Sequence, residues 1–485
     1  MIFLSLRFYT VAAVLLFFCF YSSCNLTART PNVVIIFADD MGYGDMSNNG
    51  HPSIRTPYLD RIAYEGQKWS NFYVAAPVCT PSRAALLTGR YPIRNGMCSS
   101  VSQVLFPEST GGLPESEITI ADLLSGEGYA TAMVGKWHLG HLPEFLPTKH
   151  GFDNWFGIPY SNDMDLDRKT VTALNGGELG LWHTGKHWDD PKSEYWRVPL
   201  MHGDQIIKRS PDQSLLTKMY TEHSVEFIKD NADKPFFLYL AHSMPHVPLF
   251  RSEKFIGRST AGIYGDVIEE IDWSVGQIIK TLESLEISEH TLVVFTSDNG
   301  GSSEVVNLGD GTGEIGTMTN WKSLGKNWAN VSNTPYREYK NWSHEGGIKT
   351  PLIAYWPKGI KNKNNIAHTP VHFIDVLPTF QELLDVEYPE KFNGEKIISS
   401  PGRSFLPEIK GEKYRNRSTP IFWQWSKGKA IRQEDWKLVS YNNEWELYNL
   451  KDDPVEEKNL IEDNPEKAEF LKKQYTEWAK QFDLE

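Results

Sequence analysis

Asn32-Val-Val-Ile-Ile-Phe-Ala38 is an almost unbroken apolar run that stops at Asp39-Asp40. A strand with one wet face alternates apolar and polar residues, so a run without alternation suits a strand buried on both faces, as in a parallel sheet flanked by helices. Three other stretches share the design. Tyr129-Ala-Thr-Ala-Met-Val134 ends in Gly135-Lys136-Trp137-His138, and Phe236-Phe-Leu-Tyr-Leu-Ala241 ends in His242 and, past Pro245, His246. Leu292-Val-Val-Phe-Thr296 ends in Ser297-Asp298-Asn299-Gly300. Helical spacing over residues 118–125, 215–229 and 266–285 falls between them, which predicts an α/β fold with a large, doubly wound, mostly parallel sheet. Ligands of such sheets bind outside the carboxyl ends of the strands, so the four polar ends should converge on one place.

Beyond Tyr388 the texture changes. Short alternating stretches at 420–425, 429–432, 436–441 and 445–449 precede a helical stretch over 464–482, with Asn464 as N-cap and Pro465 at the first position. This predicts a small C-terminal α+β domain with an antiparallel sheet over 388–485, following a main domain over 30–387. Phe422-Trp-Gln-Trp425 offers flat rings to a sugar, but aromatic runs in so small a domain belong to its core.

The 485 residues, 40% hydrophobic and 23% charged, exclude the disordered, collagen-like and multi-span membrane classes. A net charge of −13 opposes nucleic acid, while leaving room for an anionic small ligand held by a few cations in a pocket. Residues 1–24 read as an export signal: Arg7, an apolar run over 11–21, then Ser22-Ser23-Cys24. That run is shorter than the roughly 20 residues a spanning helix needs. Ser22-Ser23 before Cys24 fits a bacterial lipoprotein site, with Tyr21 where Leu is usual, so a lipid on Cys24 and simple cleavage both stand. Either route exports the mature protein to the periplasm, the cell surface or the medium, and membrane contact is expected only through that lipid. With Cys19 and Cys24 in this segment, Cys79 and Cys98 remain, and an oxidising compartment leaves a bridge between them open.

Cys79-Thr80-Pro81-Ser82-Arg83 is the sharpest motif. Thr80 as N-cap and Pro81 at the first helical position would set Cys79 just ahead of a helix N-terminus, with Arg83 one turn on. An isolated cysteine there is a good thiolate nucleophile. Asp39, Asp40, Asp298 and Asn299 offer only oxygen ligands, which fits Ca²⁺ or Mg²⁺ and not zinc. A single Asp is ordinarily a cap or turn residue; pairs at two strand ends favour a metal.

The pentapeptide matches Cys-x-Pro-x-Arg and continues into Leu87-Thr-Gly-Arg90. It is accompanied by Gly135-Lys-Trp-His-Leu-Gly140, Gly157-Ile-Pro-Tyr-Ser-Asn162, Pro245-His-Val-Pro248, Ser297-Asp-Asn-Gly300, Lys340 to Gly347, and Leu447-Tyr-Asn-Leu450 with Asp453-Pro454. In this order the chain resembles the type I, formylglycine-dependent, arylsulfatase-like sulfatases of the alkaline phosphatase superfamily. The resemblance implies an alkaline phosphatase-like catalytic domain that cleaves a sulfate ester, on a sulfated polysaccharide or oligosaccharide. It implies that a formylglycine-generating maturation enzyme converts Cys79 to Cα-formylglycine, whose hydrate is the nucleophile, and that Cys98 is unpaired. Ca²⁺, ahead of Mg²⁺, would be held by Asp39, Asp40, the modified Cys79, Asp298 and Asn299. Arg83 would steady the ionised hydrate, and Lys136 and Lys340 would neutralise sulfate oxygens. Lys340 is preferred to Lys349 because it precedes Glu345-Gly346-Gly347 by the family's spacing. His246 would protonate the leaving alcohol, and His138 would take a proton from the other hydrate hydroxyl. Ser161 joins Lys136, His246 and Lys340 as a substrate contact, and His242 stays behind them. The loops over 163–212 and 301–337 are expected to form the pocket rim and choose the sugar. Two other readings are a phosphate-ester or phosphonate hydrolase of the same superfamily and a non-catalytic exported carbohydrate-binding protein with an unmodified Cys79.

Overall fold

The run at Asn32 is strand β1 (Asn32–Ala38), and every residue of it is buried. The structure, a computed structural model, describes residues 30–98, 104–166, 194–306, 311–414 and 417–482. The expected export signal, with Cys19 and Cys24, lies outside the described residues, as does part of each expected rim loop. Strands β2 (Ala130–Lys136), β3 (Asn154–Ile158), β4 (Phe236–Ala241) and β5 (Thr291–Ser297) complete a parallel centre in the order β5-β1-β4-β2-β3. Antiparallel β6 (Leu352–Tyr355) follows β5, and short strands extend both edges to ten in all.

β1 explains its own sequence. Val33, Ile35 and Phe37 enter one core, and Val34, Ile36 and Ala38 enter another. Full burial of a Val or Ile stabilises by about 1.5–3 kcal/mol, which decides against any register that would wet either face. The first face is covered by α1 (Cys79–Thr88) through Ala84, Ala85, Leu86 and Leu87, with α2 (Ile120–Gly126) beside it. The second is covered by α3 (Leu216–Asp230) and α4 (Gly262–Ser284), the latter through Ile268, Ile271, Val275, Ile278 and Leu282.

Near the C-terminus, β7 (Ile421–Trp425), β8 (Gly428–Gln433), β9 (Trp436–Tyr441) and β10 (Glu444–Asn449) form an antiparallel sheet in chain order. Alternation here sends residues to two places. Trp423, Ala430, Val439 and Tyr448 join the core of the large sheet, while Ile431, Leu438 and Leu447 pack with α5 (Pro465–Ala479) through Leu471, Tyr475 and Trp478. Pro465 opens α5, and Asn464 occupies its N-cap position without a side-chain cap bond. Trp423 is a core residue whose Nε1–H donates to Val74 O at 2.7 Å, and Trp425 is buried beside Val78 and Cys98. No helix among the described residues is long and apolar enough to cross a membrane.

Candidate active site

Parallel strands put their carboxyl ends on one side, and the polar residues of the sequence meet there. β1 delivers Asp39 and Asp40, and β5 delivers Asp298 and Asn299. β2 ends in Lys136 and leads to His138, β4 leads to His242 and His246, and Ser161 follows β3. Close packing of backbones makes this convergence possible. A Cβ on Gly135 would lie 1.8 Å from Ala241 O, and one on Gly300 would lie 1.8 Å from Gly346 O, so only glycine is tolerated beside Lys136 and Asn299. Asp40 and His138 adopt left-handed backbone, φ 63° and 60°, a conformation that costs an L-residue about 1–2 kcal/mol. Asp40 is held there by its N–H donating to Asp298 Oδ1 at 3.0 Å.

The nucleophile helix starts two residues earlier than its sequence suggests. Val78 is the N-cap, and Cys79 is already helical. Thr80 Oγ1 does not cap; it donates to His138 O at 3.0 Å, because β2 brings that carbonyl within reach. Cys79 Sγ lies 3.5 Å from Asp39 Oδ1 and 3.5 Å from Lys136 Nζ. Burial pushes its thiol well above the usual range despite Lys136 and Lys340. The thiolate expected from the helix terminus alone is therefore not formed: desolvation wins over the dipole. Cys79 and Cys98 are both free, and Cys98 Sγ donates to Gln424 O at 3.2 Å.

Arg83 is fully buried and donates Nε–H and Nη2–H to Asp298 Oδ2 at 3.0 and 2.8 Å, and Nη1–H to Lys136 O at 2.8 Å. Lys136 Nζ donates to Asp39 Oδ2 at 2.6 Å and Ser161 Oγ at 3.1 Å. Lys340 Nζ donates to Asp40 Oδ2 at 3.0 Å and lies 3.0 Å from His246 Nε2. Lys349 instead pairs with Glu345 at 3.3 Å and sits over the Tyr336 ring, so Lys340 is the lysine that reaches the cluster. Burial would raise Asp39, but Lys136 and Arg83 hold it well below the usual carboxylate range. Burial, reinforced by the charge of Asp39, pushes Asp298 up to about 7.

The donor set fits a hard divalent cation. Three buried carboxylates converge, and those of Asp39 and Asp298 come with Cys79 Sγ within 4.8 Å of one another. Asn299 Nδ2 donates to Asp40 Oδ1 at 2.6 Å, while its buried Oδ1 has no hydrogen-bond partner. An orphaned buried acceptor beside mutually repelling carboxylates is what a cation of the Ca²⁺ or Mg²⁺ kind satisfies.

The histidines divide by tautomer. His138 Nε2–H donates to Leu105 O at 2.8 Å, so its buried, unpartnered Nδ1 carries the lone pair; burial and Lys136 hold it well below its usual value, hence neutral. His246 Nδ1–H donates to Val247 O at 2.5 Å, turning Nε2 towards Lys340. His242 contacts Ser274 Oγ at 3.1 Å, and burial lowers it to about 3. Glu304 and Asp163, which no motif singled out, also face the site. Glu304 Oε2 accepts from Lys340 Nζ at 3.0 Å and lies 3.8 Å from His246 Nε2. The only sequence signal for either was its place at the start of an expected rim loop.

A family model described as Sulfatase matches residues 31–386, and one described as N-sulphoglucosamine sulphohydrolase, C-terminal, matches residues 337–481. The chain belongs to the sulfatase family. This sulfatase is 36% identical to mouse N-acetylgalactosamine-6-sulfatase over 429 residues, 87% of the chain and 74% of the relative. It is 37% identical to human arylsulfatase A over 391 residues, 78% of the chain and 69% of the relative. The crystal structure of Ps i-CgsB superposes with a TM-score of 0.74 at 28% identity, covering 94% of both chains. Phosphonate monoester hydrolase of Agrobacterium radiobacter, at 17% identity and a TM-score of 0.62 over 93% of this chain and 96% of its own, shares the fold. The chain is thus a type I sulfatase of the alkaline phosphatase superfamily and a sulfuric ester hydrolase, and its family generally uses a metal and a formylglycine.

Proposed function

We propose that this sulfatase removes sulfate from a sulfated oligosaccharide or polysaccharide outside the cytoplasm. Cys79 is its formylglycine precursor, and Asp39, Asp40, Asp298 and Asn299 hold one Ca²⁺. The observation that carries this reading is the buried position of Cys79 Sγ between the Asp39 carboxylate and the Lys136 ammonium, each 3.5 Å away. Support for a sugar comes from the names of relatives, mouse N-acetylgalactosamine-6-sulfatase and Ps i-CgsB, whose structure is also known with k-i-k-neocarrahexaose. Support for export comes from residues 1–24, with lipid on Cys24 or simple cleavage as the two routes. Cys79 is buried once α1 is packed, too deep for another protein's active site to enclose it, so the maturation enzyme acts before that. Residues 30–387 form the catalytic domain and 388–485 the C-terminal one.

The formylglycine hydrate supplies a hydroxyl nucleophile and a second hydroxyl through which sulfate is expelled, and Ca²⁺ supplies charge stabilisation for the sulfate and the attacking oxygen. The chain's own residues do the rest. Lys136 and Lys340 meet the negative charge on the non-bridging oxygens. Arg83, fixed in place by Asp298, steadies charge beside residue 79, and Ser161 orients Lys136 and contacts the substrate. His246, when it carries a second proton on Nε2 besides the Nδ1–H held by Val247 O, gives that proton to the leaving alcohol, and His138 takes one at Nδ1. Ion chromatography of sulfate released from defined sulfated oligosaccharides, together with mass spectrometry of the Cys79 peptide, tests the reading. Sulfate release with sulfur exchanged for oxygen at Cys79 is expected. Faster turnover of 4-nitrophenyl phosphate than of 4-nitrophenyl sulfate would overturn it in favour of a phosphate or phosphonate ester, and sugar binding without release, with Cys79 unmodified, in favour of a lectin.

A further inference from the structure

Two carboxylates at this site have no place in the chemistry above. Asp163 is 3% exposed; burial raises its carboxyl above the usual range against the pull of the His246 charge and a hydrogen bond from Ser161, and its Oδ1 has no hydrogen-bond partner. Glu304 reaches the same imidazole from the opposite loop, with Oε2 on Lys340 and 3.8 Å from His246 Nε2. Its side chain, 32% exposed, is much the most open of the charged groups around His246, whereas Lys340 and Asp40 are 4% and 1% exposed. Neither carboxylate can serve the sulfate, since an ionised carboxylate only accepts hydrogen bonds and repels an anion. An orphaned buried acceptor and a half-open one beside the leaving-group histidine can both be met by the neutral hydroxyl donors of the leaving alcohol. His246 marks where the alcohol leaves, so whatever carries the ester oxygen lies against both groups.

Resting on the proposed sugar substrate, we infer that Asp163 and Glu304 accept hydrogen bonds from free hydroxyls of the sugar ring that bears the sulfate. They thereby select a singly sulfated ring over one with a second sulfate next to the scissile one. Hydroxyls donate to both carboxylates, whereas a neighbouring sulfate would place a negative charge against two others. A site built to bond a substrate hydroxyl rejects the analogue lacking it far more strongly than an apolar pocket rejects a missing methylene.

The test uses the mature enzyme with methyl glycosides carrying one sulfate, the same compounds with each free hydroxyl replaced in turn by hydrogen, their vicinal disulfates, and 4-nitrophenyl sulfate. For the native chain, at least one deoxy compound should fall about 10- to 100-fold in kcat/KM, the size of a hydrogen bond to a charged group. In Asp163→Asn or Glu304→Gln, that hydroxyl preference should shrink to about 3-fold or less, while the vicinal disulfate gains relative to the monosulfate. Because each ratio is taken within one variant, a general loss from disturbing Lys340 or His246 cancels. Equal rates for parent and deoxy sugars in the native chain, or a full hydroxyl preference kept in both variants, would overturn the inference. Hydrolysis of 4-nitrophenyl sulfate with every sugar refused would overturn the substrate reading itself and this inference with it, a result distinct from sugars cleaved without regard to their hydroxyls.

Discussion

Two clusters of buried charge flank the segment from Lys340 to Lys349, and they are built to opposite ends. In the one behind it, Glu345 accepts from Lys437 Nζ at 2.8 Å and Tyr73 Oη at 2.7 Å and pairs with Lys349 at 3.3 Å. Lys437 also pairs with Glu456 at 2.8 Å, and Glu456 Oε2 accepts from Glu345 N at 2.8 Å. Arg432 donates to Tyr73 Oη as well. Every carboxylate there has an ammonium, and the network fastens β8 and β9 to the turn that carries Lys340. In the cluster ahead of the segment, Asn299 Oδ1, His138 Nδ1 and Asp163 Oδ1 are buried without partners. Burial is equal, but the rear orphan, Glu456 Oε1, lies 2.8 Å from the Lys437 ammonium, whereas the three atoms ahead of the segment have no ion pair among the described residues. Charges that complete one another hold domains together, and charges that leave acceptors over are set for a ligand.

That contrast is broken first at the nucleophile. Cys79→Ala should lower turnover of 4-nitrophenyl sulfate by at least about 10⁴-fold, as loss of a nucleophile does, while the melting temperature stays within a few degrees. Retained turnover would remove Cys79 from the chemistry. Chelation comes next. EDTA should cut activity by about 10²- to 10³-fold, added Ca²⁺ should restore it, and the melting temperature should rise with free Ca²⁺, since a cation bound only to the folded chain stabilises it by mass action. A melting temperature indifferent to Ca²⁺ would contradict the assignment of Asn299 and its three carboxylate neighbours.

The rear cluster should respond in stability instead. Lys437→Met leaves Glu456 buried without its ammonium and Glu345 with Lys349 alone, and should cost about 3–5 kcal/mol in urea unfolding. Lys437→Met with Glu345→Gln should recover part of that, and the activity per folded molecule should fall far less than in Cys79→Ala. The smallest effect is the pH dependence. Burial alone would raise Glu345, but Lys437 and Lys349 hold it at about 2, below its ordinary 4.5. A carboxyl depressed in the folded state contributes stability that is whole above about 4.5 and is lost as pH falls towards 2. Over that window the native chain should lose about 3 kcal/mol that Glu345→Gln does not lose, read from urea midpoints at successive pH values.

The apolar runs of β1, β4 and β5 were legible because both faces of each are buried, and the residues just beyond them were legible because strand ends carry ligands. C-terminal alternation was legible for the same reason at a period of two. Other features were hidden, each because the deciding partner is far away in sequence. Thr80 looks like a cap until His138 O arrives from β2, and Cys79 looks like a thiolate until packing removes its water. Glu304 looks like a loop acid until Lys340 and His246 come within 3.0 and 3.8 Å of it, and Asp163 until folding buries it.

Sequence alone determined which stretches are strands, where each one ends, and which side chains stand at those ends, since apolar patterning and residue chemistry are local properties. Tertiary structure decided which charges face one another, which atoms are left unpaired and which proton each group keeps. Those depend on distance and on exclusion of water, and both arise only when segments as remote as Asp40 and Lys340 are brought to 3.0 Å.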